Sequence, residues 1–288
     1  MNFVSFFFEK SLSVQDLTHR RGKKMYIDTH LHLCNRWCDD IRRPKAIVDI
    51  DKNEIITWAQ SWDIPSYTAA LEYSKQSKYI FPAFGVLPWE AFDYKDRFDE
   101  ITKLCEDALM LGEIGWDEKN AADKRSLPFQ KPMLEVFLKA AEKHNLIMNL
   151  HFRGGLERDG FELLKSYNSK KAIIHSYSGS PKIIKEINEQ GFFVSYGSAR
   201  FDLLNKTQYG YFRNRIAEVH EDLLIIEIDV LQRDKDFRPP SEVYPGILKT
   251  MAEIRKTTSE EIEAMNQRNV LRLIRDDPKL EKMRKLIK

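Results

Sequence analysis

The chain has 288 residues, 42% of them hydrophobic and 31% charged, with a formal net charge of +2. This is the balance of a soluble globular protein with a substantial core, and the length accommodates one α/β barrel of about 200 to 250 residues. A near-neutral charge excludes a scaffold that grips nucleic acid mainly through phosphates, but not an enzyme that touches a few phosphates in a local cleft.

The first ten residues, MNFVSFFFEK, contain an apolar run without a positively charged segment before it. Glu9 and Lys10 end the run too soon for a signal sequence or a membrane span. THRRGKK follows at 18–24, so residues 1–24 are expected to be an extension ahead of the fold, a pattern that a start codon assigned too far upstream also produces. A single barrel is expected over 25–288. Cys34, Cys38 and Cys105 are an odd count and not a disulfide framework, which fits a reducing cytoplasm. Cys34 and Cys38 lack a second Cys or His pair at zinc-finger spacing and read as incidental thiols. No membrane segment and no obligate protein partner are implied.

Eight β-rich apolar runs follow, at 25–30, 54–60, 79–86, 108–115, 146–152, 171–177, 191–197 and 223–230. Helical spacing fills most of the intervals, at 65–76, 97–108, 128–145, 156–167 and 180–190, with a looser stretch ending at 211–220. Ser180 before Pro181 is a helix start and Gly191 a stop. Several runs are apolar at nearly every position, as in a parallel sheet covered by helices. Eight strands alternating with helices predict a (β/α)8 TIM barrel, whose active site lies at the C-terminal ends of the strands.

The polar residues fall at those ends. In MYIDTHLH, His30 and His32 stand at i and i+2 of a strand and present two imidazoles to one side. Alone, that pair is as easily a surface feature as a metal site. Glu113 lies in LGEIGWD, His151 ends MNLH, His175 ends AIIH and Asp229 ends IIEID. Six ligand types aimed at one rim are hard to explain as packing, because each buried polar group would need its own partner.

With these residues in place, the chain resembles the TatD family of metal-dependent deoxyribonucleases, among the amidohydrolase-like barrels, from Met25 to about Ile274. The matching segments are IDTHLH, AFGVLPWE, LGEIGWD, FQKPMLEVFLKAAEKHN, LIMNLHFRG, IIHSYSGS, GFFVSYGS, IIEIDV and NVLRLI. The resemblance implies that His30, His32, Glu113, His151, His175 and Asp229 hold divalent metal. It also exposes departures. Cys34 stands where the family usually has an aspartate, Leu87 where it has an active-site histidine, and Val230 and Leu231 where a small residue and a proline are common. The expected metal shell is complete while the substrate shell has changed.

Imidazoles and carboxylates suit Mg, Mn or Zn, and six ligands exceed the need of one catalytic zinc. Two divalent ions are expected, His30 and His32 on one, His151 and His175 on the other or shared, with Glu113 bridging. Ions about 3.5 to 4 Å apart hold the attacking and leaving oxygens of a phosphodiester. Asp229 is expected to ligate metal and take a proton from the attacking water. Glu227, on the same side of its strand as Asp229, either orients a histidine or forms a buried salt bridge. Arg153 is a candidate for phosphate, and Tyr177 and Ser178 for the substrate cleft; an exposed loop arginine and a packing tyrosine are the duller alternatives. The stretch 200–215, with Tyr209, Tyr211, Phe212 and three arginines, mixes bases and aromatics as single-strand binders do, yet reads better as a packed helix with a solvated face. Two functions remain: a deoxyribonuclease cleaving phosphodiester bonds by metal-activated water, or a metal hydrolase of a small amide, ester or phosphoester.

Overall fold

The computed structural model describes residues 25–34, 38–198, 205–231 and 237–287. The expected extension 1–24, and Arg200 of the basic and aromatic stretch, lie outside them. Strand β1 (Ile27–Leu31) leads to helix α1 (Arg42–Asn53), β2 (Ile56–Gln60) to α2 (Ile64–Gln76), and β3 (Ile80–Ala83) to a 3-10 segment (Pro88–Tyr94) and α3 (Phe98–Asp107). Next come β4 (Leu111–Trp116) with α4 (Leu127–His144), β5 (Met148–Phe152) with α5 (Glu157–Lys165), and β6 (Ala172–His175) with α6 (Pro181–Gln190). The last units are β7 (Phe193–Tyr196) with α7 (Lys206–Glu218), and β8 (Leu224–Ile226) with α8 (Pro240–Arg255), α9 (Ser259–Ile274) and α10 (Glu281–Ile287).

The strands run parallel in the orders β1-β2-β3 and β4-β5-β6-β7-β8. Two single bridges join these arcs. Phe84 pairs with Leu111 past the end of β3, and Leu31 of β1 pairs with Asp229 beyond β8. At the second seam, His32 N donates to Asp229 O at 3.0 Å and Asp229 N to His30 O at 2.7 Å. The circuit is a (β/α)8 barrel, as the alternation predicts. Every residue of β3, β6 and β8 is buried, which is why these strands read as nearly continuous apolar runs rather than alternating ones.

Helix ends follow local chemistry. The Ser180 side chain accepts from Lys182 N at the start of α6, Pro181 occupies its first turn, and Gly191 (φ 73°) ends it in the left-handed region. Helix α7 begins at Lys206, a start that the looser stretch ending at 211–220 leaves open, because Asn205 and Gln208 form a capping box. Between β1 and β2, where no helical period is legible, the chain forms α1. It buries only Ala46, Ile47 and Ile50 behind a polar Arg-Arg-Pro-Lys start, too narrow a stripe to register as a period. Among the described residues no helix is long and apolar enough to cross a membrane.

Two glycines let β4 approach its neighbours. A Cβ on Gly85 would stand 2.3 Å from Glu113 O, and one on Gly115 would stand 1.9 Å from His151 O. No side chain fits at either place, so the backbone that carries Glu113 sits closer to both flanking strands than residues with a Cβ allow.

Candidate metal centre

Packing of β1, β4, β5, β6 and the end of β8 brings the six predicted ligand side chains to one rim. Glu113 stands in the middle. Its Oε2 is 2.9 Å from His32 Nε2 and 3.4 Å from His30 Nε2, while its Oε1 is 2.6 Å from His151 Nδ1 and 3.8 Å from His175 Nε2. Asp229 Oδ1 closes the first group at 3.9 Å from His30 Nε2. Ligand atoms of His30, His32 and Asp229, and of Glu113, His151 and His175, lie within 4.8 Å of one another. The donor chemistry fits a divalent cation in each group. Asp229 adopts φ 70° and Ser176, beside His175, φ 42°, left-handed backbone that a non-glycine residue holds only where its surroundings enforce it.

Three of the four imidazoles are held from behind. His30 Nδ1 is 2.9 Å from Asn149 Oδ1, and Asn149 Nδ2 donates to Thr29 O at 3.2 Å. His175 Nδ1 is 2.8 Å from Glu227 Oε2, which also accepts from Ser195 Oγ. His151 Nε2 is 2.9 Å from Asp117 Oδ2. These partners fix which ring nitrogen faces the centre. Asn149, Asp117 and Ser195 were not singled out in the sequence. The signal was present for two of them, since Asp117 is four residues past Glu113 and Asn149 two before His151, on the same sides of their strands. Of the two partners expected for Glu227, a histidine or a buried salt-bridge cation, the contact made is to His175.

The electrostatics describe a site short of positive charge. Burial opposes a proton on His30, but Glu113, Glu227 and Asp229 outweigh it and push His30 up to about 10. His151 is raised against the same burial by Glu113 and Asp117. Burial also works against a charged Glu113, yet His151 and His30 hold it well below the usual carboxylate range. His175 is kept neutral by burial and by the cationic His30. Burial raises Glu227 to about 7, and its Oε1 has no hydrogen-bond partner among the described residues. Divalent cations would satisfy the same lone pairs that these shifts leave favouring protons.

A cavity of about 360 Å³ opens over this centre. Its wall includes five of the six ligands, His30 being enclosed beneath, together with Arg153, Asp117, Asn120, Leu87, Trp89 and Val230. Of the residues expected at the substrate, Arg153 lines the cavity. Tyr177 and Ser178 do not line the cavity. Tyr177 is buried with its hydroxyl donating to Ser180 O at 3.1 Å, and Ser178 Oγ donates to Glu157 Oε1 at 3.1 Å. The left-handed turn at Ser176 carries the chain away from the rim just after His175, which strand periodicity does not anticipate. Tyr209 and Phe212 of α7 pack against the core while Tyr211 is exposed, the packed-helix reading of that stretch.

Residues 27–275 match the family described as TatD related DNase. An uncharacterized metal-dependent hydrolase of Bacillus subtilis, YabD, is 27% identical over 264 residues, covering 87% of this chain and 99% of that protein. Human deoxyribonuclease TATDN3 is 22% identical over 171 residues, 51% of this chain and 62% of its own length. Among solved structures, the Escherichia coli TatD homolog YJJV superposes with a TM-score of 0.68 at 19% identity, covering 86% of this chain and 97% of its own. A family match over most of the chain agrees with the order and placement of the ligand residues around the barrel. The chain belongs to the TatD-related DNase family of metal-dependent hydrolases.

Proposed function

We propose that the chain cleaves phosphodiester bonds of DNA using two divalent cations, one on each side of Glu113. The observation that carries this reading is the division of the Glu113 carboxylate, with Oε2 turned to His30 and His32 and Oε1 turned to His151 and His175. His30, His32 and Asp229 would complete one site, and His151 and His175 the other. Bound cations supply Lewis-acid stabilisation of a phosphoryl oxygen and a water acidified enough to attack at neutral pH.

The remaining work belongs to the chain. The Asp229 side chain is 32% exposed, against 5% for Glu113, so it is the carboxylate with room to take a proton from water in the cavity. Asn149, Asp117 and Glu227 keep three imidazoles aimed inward while substrate enters and leaves. The Arg153 guanidinium has no hydrogen bond or ion pair among the described residues, leaving its planar fork for a phosphate. Leu87 in the cavity wall favours a second reading, a small ester or phosphoester substrate, because an apolar wall can hold either a base or an organic leaving group.

The test is shortening of end-labelled single-stranded DNA by purified protein with magnesium, manganese or zinc, and with a chelator. Metal-dependent shortening that Glu113→Ala lowers by at least about 10³-fold is expected, because both cation sites lose a ligand. Hydrolysis of small esters with DNA left intact under every ion would select the second reading.

A further inference from the structure

One side of the cavity is apolar. Cys34, Trp62 and Leu87 form a small hydrophobic cluster separate from the main core, with Trp89 packed against it. The cluster touches both halves of the metal centre. The Trp62 ring lies 5.9 Å from that of His32, and the Trp89 ring meets His151 edge-on at 5.6 Å and 88°. Trp62, Leu87 and Cys34 are nearly enclosed, whereas Trp89 is half-buried in the cavity wall. Among the described residues its indole N–H has no hydrogen-bond partner. Trp89 thus offers a ring surface and a free donor to whatever enters.

Arg153 offers the complementary charge in the same cavity. At about 360 Å³, the space lies at the lower end of ligand-sized pockets, enough for one nucleotide unit and too little for a base pair. An aromatic ring beside a cationic fork suits a flat base attached to a phosphate, and stacking on an aromatic tolerates any base because each has a π-face.

We propose that Trp89, backed by Leu87 and Trp62, is the base-binding platform of the active site: one terminal nucleotide enters, its base against Trp89 and its phosphate toward Arg153. This rests on the nuclease reading and adds the residue that holds the terminal base, and with it a preference for an end whose base is intact. Trp89 acts on affinity and placement of the end, and Arg153 on the phosphate.

The experiment uses pairs of labelled single-stranded oligonucleotides that differ only in whether the terminal residue carries a base or is abasic, made for each end. Wild-type protein with its activating ion is expected to favour the base-bearing end by about 5- to 150-fold in kcat/KM, the range of one base–aromatic stack. Trp89→Ala is expected to bring that ratio to within about twofold of one, chiefly through KM, and Trp89→Phe to keep most of it. Thermal melting of each variant checks that it is folded, and the ratio within one variant is insensitive to the fraction of active protein. Equal cleavage of the two ends by wild type, or a ratio unchanged in Trp89→Ala, overturns the platform and leaves the nuclease reading standing. Failure to cut either oligonucleotide with any ion overturns both.

Discussion

The two ends of the barrel treat buried polar groups in opposite ways. Toward the N-terminal ends of β1 and β8, Asn266 Nδ2 donates to Ile27 O at 2.8 Å and to the Tyr244 hydroxyl at 2.9 Å, while its Oδ1 accepts from Ile226 N at 3.0 Å. Tyr244 itself donates to Ile27 O at 2.6 Å, and Asn269 Nδ2 reaches Glu221 O and Leu224 O at 2.7 Å each. Toward the C-terminal ends, Gln60 Oε1, Ser61 Oγ and Glu227 Oε1 are buried without partners among the described residues, and imidazoles crowd one another, His30 Nε2 lying 3.1 Å from His32 Nε2. Satisfied polar groups hold the strands to the closing helices. The imidazoles and carboxylates that crowd together around Glu113 have the donor set of a cation site instead.

The largest difference to exploit is the response to pH. His30 has a raised pKa in the fold, so its contribution to stability is full below its ordinary value near 6.5 and is lost as pH rises through about 10. Glu227 acts in the same direction, losing stabilisation as pH rises from the ordinary carboxylate value to about 7. Metal-free protein is therefore expected to lose on the order of a few kcal/mol between pH 6 and about pH 9.5 through these groups. Saturating magnesium takes the place of the protons and should flatten that fall. Melting curves across pH with and without a chelator measure it; parallel curves would mean that no cation binds among these residues.

Asn266→Ala probes the other end. It strips two strand backbone groups of their partner, one of them without an alternative, and should cost about 3 kcal/mol of stability, read from urea unfolding. The affinity for the activating ion should not change. A changed affinity at unchanged stability would show that the two ends are not independent.

Asp117→Asn is the smallest and most selective change. It keeps the shape but removes the charge behind His151, and loss of such a partner lowers metal affinity about tenfold. Burial opposes ionisation of Asp117, but its bonds from His151 and Asn120 hold it down at about 2. Titration calorimetry of the activating ion into variant and wild type would show the weakening; equal affinities would make Asp117 a loop anchor for Asn120 alone.

Much of this architecture was legible because strands enclosed on both faces carry uninterrupted apolar runs, and because His30, His32, Glu113, His151, His175 and Asp229 each terminate or nearly terminate one. The helices that escaped notice show the limit. Helix α1 and the closing helices α8 to α10 earn their place by what they cover, as when Tyr244 of α8 and Asn266 of α9 satisfy the backbone of β1 and β8. Tyr177 and Ser178 failed as cavity residues for a local reason, the turn at Ser176. Asp117 and Asn149 were within reach of strand periodicity, but nothing marks an aspartate or asparagine as the partner of a particular histidine until both are folded.

By itself the sequence determined the alternation of strand and helix, and which imidazoles and carboxylates are candidate ligands at which strand ends, because local periodicity and residue chemistry need only neighbours along the chain. Tertiary structure alone decided how the ligands divide on either side of Glu113, which partner aims each imidazole, and that Leu87 and Trp89 form one wall with Trp62. Those are relations between strands far apart in sequence, set by barrel closure and by the close approach that Gly85 and Gly115 permit.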